Sequence, residues 1–423
     1  MVFTLAAPAL AEGVLAEAPL TAPAAPAEGT DGRRMEGEPI TSLEDLEQAV
    51  SESSGTYGSP STIQLGKDIT LTEPLTLEGN HYAILELNGH TLTAAKGQRH
   101  LEVSGTLTIQ DTSEGAAGKL DGNSNGGGVV VKGGTVILKS GAIADCKQSA
   151  GNGGGVCVED SGTFKLIDGT IENCTALNGG GVYAGTGGWL SMEGSAIKNC
   201  TATGSGGGVY SGHYFFMEGG AIENCKAAQG GGVYNEGGTC TMQNSAAIER
   251  CTATKAGGGV YVAAGKKVEL LNTPQVKDNT VDGERDNIAL APGAQVQDRG
   301  LDEGASIGIS LHGEGWEDDA VILVDSSGNP ISKENIPAYV TDDTTGEKLT
   351  STSAADLPKK SVTPPPTPPT PDRAIALDKT ELALEPGQTA KLKATLTPAD
   401  ATYKYIFWES SDEAIATVSD SGV

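Results

Sequence analysis

The stretch Gly206-Gly207-Gly208-Val209-Tyr210-Ser211-Gly212-His213-Tyr214-Phe215-Phe216-Met217-Glu218-Gly219-Gly220-Ala221-Ile222-Glu223-Asn224-Cys225 decides the fold. Three glycines and a valine open it, and an isoleucine three residues before a cysteine closes it. The same order recurs along the chain. The triplet's valine falls at Val129, Val156, Val182, Val209, Val233 and Val260, spacings of 27, 26, 27, 24 and 27 residues. A fixed period of this size marks a stacked array.

Three strand-like pieces recur in each unit. The first is Gly-Gly-Gly-Val-Tyr, as at Gly179 to Tyr183. The second alternates two apolar positions around one polar-tolerant residue: Val136/Leu138, Phe164/Leu166, Leu190/Met192, Phe215/Met217, Cys240/Met242 and Val268/Leu270. The third holds Ile143, Ile171, Ile197, Ile222, Ile248 and Val276, each followed three positions later by Cys146, Cys174, Cys200, Cys225, Cys251 and finally Asn279. Period-two alternation in short runs, broken by Gly, Asn and Asp, predicts strands. One residue type per inward column predicts an all-β right-handed parallel β-helix, three strands and about 26 residues per coil. Like side chains then stack at a rise of about 4.8 Å. The L-x-x-L-x-L frame of leucine-rich repeats is absent, and a propeller blade needs four strands.

Outside the array the texture changes. Residues 1–38 read as a clipped signal peptide and Ala/Pro-rich leader, with Ala9-Leu10-Ala11 in a small-x-small cleavage pattern but no basic n-region. Residues 39–61 form an N-terminal cap, in which Thr41 and Glu44 make a capping box for a short helix with Leu43, Leu46, Ala49 and Val50 on one face. The β-helix is expected over 62–300, a β extension over 301–350 and a Thr/Pro-rich spacer over 351–373.

The chain of 423 residues carries 28 Lys and Arg against 55 Asp and Glu, a formal charge of −27, which excludes nucleic acid and anionic membrane as partners. Sixty glycines with 4% aromatic content fit neither an ordinary globular enzyme nor a disordered chain. No apolar run reaches the length of a membrane span.

From Ala374 the segments Ile375-Ala376-Leu377-Asp378-Lys379-Thr380, Leu384-Glu385-Pro386-Gly387-Gln388-Thr389 and Trp408-Glu409-Ser410-Ser411-Asp412 resemble the bacterial Ig-like group 2 domain, here truncated over 374–423. That resemblance implies a partial β-sandwich of the kind carried by surface and secreted bacterial proteins, adhesins among them. Residues 62–300, with units such as Gly206 to Tyr210 and Met217 to Cys225, resemble the right-handed β-helix regions of bacterial cell-surface proteins, pectate-lyase-like and polymorphic outer-membrane-protein-like. Two departures weaken the autotransporter form: F-x-x-N is irregular, and no C-terminal barrel is present.

Candidate sites follow from the columns. If Val182, Val209, Val233 and Val260 face inward, then Tyr183, Tyr210, Tyr234 and Tyr261 face outward on successive coils and are candidates for stacking on sugars or partners, against mutual packing. Glu193 and Glu218 fall at equivalent places on neighbouring coils, as do Glu223 and Glu249. Such pairs suit a retaining glycosidase or calcium, yet exposed ladder positions offer no cleft to raise one carboxyl's pKa. The cysteine column reads as buried thiol packing, with disulfides or metal as alternatives disfavoured by parallel side chains and the lack of C-x-x-C. His81, His90, His100, His213 and His312 show no ligand spacing. No catalytic residue, metal or cofactor is assigned. The expectation is an exported, monomeric bacterial scaffold, adhesin-like, binding glycans or host or cell-surface proteins along the β-helix. A polysaccharide lyase or glycoside hydrolase and a passive stalk are the alternatives.

Overall fold

The computed structural model describes residues 38–360, apart from Tyr57, Ala116 and Asp318, together with 374–377 and 394–397. Coil stacks on coil through parallel pairing. One sheet of eleven strands runs from Ser61–Gln64 through Trp189–Met192 and Tyr214–Met217 to Leu323–Val324. A second, of twenty-one strands, contains two ladders. One carries Val182–Ala184, Val209–Ser211 and Val233–Asn235; the other carries Thr170–Glu172, Ala196–Lys198 and Ala221–Glu223. The long strand Ser306–His312 joins them, pairing first with Gln275–Lys277 and then with Ile288–Leu290.

A third sheet is a finding the periodicity did not predict. Seven short strands, among them Thr175–Ala176, Thr201–Ala202, Lys226–Gln229 and Thr252–Ala256, add a fourth strand to coils expected to have three. Thr-Ala recurs with the repeat at 175–176, 201–202 and 252–253, but a pair this short shows no alternation that marks it as a strand.

Inward columns follow the repeat. Ile143 partners Ile171, Ile171 partners Ile197, Ile197 partners Ile222 and Ile222 partners Ile248, and all five are fully buried. Val182, Val209, Val233 and Val260 form a second buried file, and Phe164, Leu190, Phe215 and Cys240 a third. Each large aliphatic side chain so buried contributes about 1.5–3 kcal/mol.

The glycine triplet has three distinct causes, seen at Gly206, Gly207 and Gly208. Gly206 has φ +71°, and a Cβ there would meet the carbonyl of Val209. A Cβ on Gly207 would run into the backbone carbonyl of Gly231 on the following coil. On Gly208 it would lie 2.5 Å from Ile222 Cγ2, inside the core. Backbone geometry, coil spacing and core volume each exclude a side chain in turn.

At the N-terminus the helix spans Leu43–Ser51, buries Leu46 and Val50, and begins one residue later than the capping box predicts. Ser42 is the N-cap: its Oγ accepts from the Asp45 amide at 3.1 Å and donates to the Asp45 carboxylate at 2.5 Å. Ser42 thus takes the capping role expected of Thr41, shifted by one position, with the Asp45 carboxylate bonded to the cap hydroxyl. Ile40 bridges to Leu65 in parallel, so the segment before the helix already joins the first coil. Beyond residue 300 the pairing continues, since Val340–Asp342 and Lys359–Lys360 both pair in parallel with Ser306–His312. In the C-terminal region Ala374–Leu377 pairs antiparallel with Ala394–Thr397. The leader and most of the spacer and Ig-like segment lie outside the described residues.

Candidate functional site

The tyrosine column forms where the valine strands expose their middle residue. Tyr183, Tyr210, Tyr234 and Tyr261 are register partners in series. Their rings stack at centroid distances of 4.8, 5.2 and 5.2 Å with interplanar angles of 24°, 20° and 5°. Ring faces therefore cover one another, and the file presents edges and hydroxyls outward. Tyr210 Oη donates to the Glu236 carboxylate. Burial raises all four phenols above the ordinary tyrosine value, reinforced at Tyr210 by Glu236, and Tyr234 reaches about 12. The hydroxyls stay protonated and able to donate at neutral pH.

A second aromatic group lies on the eleven-stranded sheet. Trp189 and Tyr214 are register partners and stack at 4.2 Å and 27°. His213 packs edge-on against Tyr214 at 4.2 Å and against Trp189 at 6.3 Å. Trp189 is 49% exposed and Phe216 38%.

The carboxylates divide in two. Glu193 and Glu218 are exposed where that sheet turns toward the isoleucine ladder, and Gln243 Nε2 donates to Glu218 at 3.3 Å. Glu223 and Glu249 are direct partners, but Arg250 bridges them at 2.8 and 2.7 Å, and Lys277 lies 3.4 Å from Glu249. Their like charges are thereby offset by ion pairs along the column.

All seven cysteines are free and buried. From Cys174 to Cys251 each thiol of the file faces two carbonyls: Cys200 Sγ lies 3.3 Å from Lys198 O and 3.9 Å from Ile171 O, and Cys251 Sγ lies 3.4 Å from Glu249 O and 3.6 Å from Ile222 O. Asn279 continues the pattern, donating from Nδ2 to Ile248 O at 2.8 Å while its Oδ1 accepts from the Cys251 amide. Burial pushes the Cys200 and Cys251 thiols well above their ordinary value. Among the described residues no group of three or more His, Cys, Asp and Glu is placed to hold a metal ion.

Residues 120–313 match the family model for right-handed β-helix regions, and residues 373–423 that for the bacterial Ig-like domain (group 2). The solenoid is a right-handed parallel β-helix. No curated protein and no solved structure matches the chain. The β-helix family includes both enzymes and non-enzymes, and both modules are typical of extracellular bacterial proteins. Together they indicate a surface-associated β-helix protein. No helix among the described residues is long and apolar enough to cross a membrane.

Sequence reasoning missed two features of this β-helix. The Trp189 group is confined to two coils, so a search for columns passes over it; the dipeptide Phe215-Phe216, one ring inward and one outward, was the available signal. The second is a buried polar cluster near the C-terminal coils. Asp286 accepts from the Gly257 amide at 2.7 Å, lies 2.9 Å from His312 Nε2, and is bonded to Ser310 Oγ. Ser310 and His312 share one strand, but Gly257 and Asp286 lie on other segments, so no repeat spacing links the cluster.

Proposed function

We propose that this protein is a surface-displayed binding scaffold that presents one long β-helix face to glycan or protein partners without chemical turnover. The observation that carries this reading is the tyrosine file. Four rings locked at 4.8–5.2 Å form a rigid outward edge whose conformational entropy is already lost before any partner arrives. The Tyr183, Tyr210, Tyr234 and Tyr261 hydroxyls supply repeated donors and acceptors along it, with the exposed carboxylates of Glu193 and Glu218 on the same coils. The pairing of Glu223 and Glu249 with Arg250 and Lys277 fits a role in holding coils together.

A glycan and matrix-protein array compares wild type with the variant carrying Tyr183→Ala, Tyr210→Ala, Tyr234→Ala and Tyr261→Ala. Partner binding should drop at least tenfold; unchanged binding removes this face from the account. Reducing-end and unsaturated-product assays on pectins and neutral polysaccharides test turnover, and sustained product release would replace the scaffold with an enzyme.

A further inference from the structure

The aromatic stack on the eleven-stranded sheet stops abruptly. Tyr214 covers one face of Trp189, while on the other side the register partner is Thr163, and beyond it Thr135 and Thr106. No ring occupies those three coils at this column. The neighbouring outward column carries Thr108, Ile137, Lys165 and Ser191, all half-buried. Trp189 thus stands as a wall at the end of the threonine run Thr106, Thr135 and Thr163, which the longer Ile137 and Lys165 flank. Its open face meets a step one coil deep, about 4.8 Å, the thickness taken by one flat ring. Asp160 and Ser161, both exposed with φ of +50° and +64°, form the tight turn just before Thr163.

We propose that this step is a carbohydrate subsite in which a neutral hexopyranose stacks its C–H face on Trp189. The sugar hydroxyls exchange hydrogen bonds with Thr163, Ser161 and Asp160. An indole face carries negative quadrupolar charge and attracts the polarised C–H bonds of a pyranose. The ring continues the Trp189–Tyr214 stack by one more place, and His213 braces that pair edge-on. The chain's net charge of −27 disfavours an anionic polyuronate, while at the step itself Lys165 and Asp160 offset one another. Size argues against a protein at this spot. A stable protein interface buries about 800 Å² per partner around an apolar centre, whereas the exposed large hydrophobics among the described residues are only Leu177, Trp189 and Phe216. One sugar needs a single ring face.

This subsite rests on the scaffold reading but names a different face from the tyrosine file, so the two fail separately. The full chain is titrated with cellohexaose, laminarihexaose, mannohexaose and chitohexaose, with hexagalacturonate as the anionic control. Calorimetry and tryptophan fluorescence are the readouts. At least one neutral hexasaccharide should bind and shift the tryptophan emission. Trp189→Ala should weaken binding at least tenfold and abolish the shift. Thr163→Trp, which fills the step while keeping Trp189, should weaken it as much, with unchanged far-ultraviolet circular dichroism and melting. The four-tyrosine variant should bind the hexasaccharide within twofold of wild type. Failure of all neutral hexasaccharides to bind wild type, tighter binding of hexagalacturonate, or full binding by Trp189→Ala overturns the subsite. Loss of binding in the four-tyrosine variant alone overturns it too, while leaving the scaffold reading standing.

Discussion

Just before each cysteine of the buried file, the backbone enters the left-handed region: φ is +56° at Asn173 and Asn199 and +54° at Asn224. Asparagine tolerates that conformation better than other side chains, which lose about 1–2 kcal/mol there. This bend turns the chain from the isoleucine ladder into the short fourth strand, with the Asn199 amide donating to Glu223 O at 3.0 Å on the next coil. Asn199→Ala should lower unfolding free energy by about 1–2 kcal/mol, whereas Asn199→Gly should leave it nearly unchanged; denaturant melts of both decide. Arg250 breaks the pattern at φ +55° and bridges the stacked Glu223 and Glu249 instead. Gly207→Ala should be worse than either asparagine change, because its Cβ would strike backbone on the following coil rather than a side chain able to move. Its melting point should fall below that of Asn199→Ala.

Columns are the unit of stability at the element scale. Each file is a run of identical neighbours, so one substitution disturbs contacts on both sides. Ile222→Ala, fully buried between Ile197 and Ile248, should cost about 2–5 kcal/mol. The thiol file has a chemical signature of its own. In native protein, Ellman's reagent should find almost none of the seven cysteines, and in denaturant all seven. Rapid native reaction would show that the file is open to solvent. These files were legible in the sequence because Ile171, Ile197 and Ile222, or Cys174, Cys200 and Cys225, repeat one residue type at one place. The fourth strand was not, since Thr175–Ala176 and Thr201–Ala202 are too short to alternate, although the pair recurs with the repeat. Neither was the Trp189 wall. Its column reads Thr106, Thr135, Thr163, Trp189, Tyr214, a threonine run that two aromatics interrupt, and only the register reveals that the stack has an open end. The helix start was misplaced by one position because Thr41 and Ser42 offer equivalent caps.

For the molecule as a whole, a solenoid's stability is the sum of its coils and their interfaces, so its ends matter disproportionately. Asp286, fully buried near the C-terminal coils, is central to that end. Burial opposes its charge, yet the hydrogen bond and charge of His312, the charge of Lys360 and the Ser310 hydroxyl together hold its carboxyl below the ordinary value. A depressed folded-state pKa stabilises above the unfolded value, about 3.9, and that contribution disappears as pH falls through the folded value. Asp343 has the opposite sign. Burial raises it against two hydrogen bonds donated by Asn287, so its contribution is present at low pH and fades as pH rises. The melting-point gap between wild type and Asp286→Asn should therefore shrink as pH drops from about 7 to about 3. A gap that stays constant or widens contradicts this assignment.

The register itself is open to a distance measurement. Thr135 and Thr239 lie 104 positions apart in sequence, yet three successive pairings, through Thr163 and Trp189 to Tyr214, and the adjacent pairing of Phe215 with Cys240 place them on one outward column. Nitroxides on Thr135→Cys and Thr239→Cys, attached under native conditions where the buried thiols do not react, are read by double electron–electron resonance. The account predicts one narrow distribution centred near 19 Å, four rungs of about 4.8 Å. A broad distribution, or one centred beyond about 35 Å, well outside four such rungs, would contradict the stacked coils on which every assignment above depends.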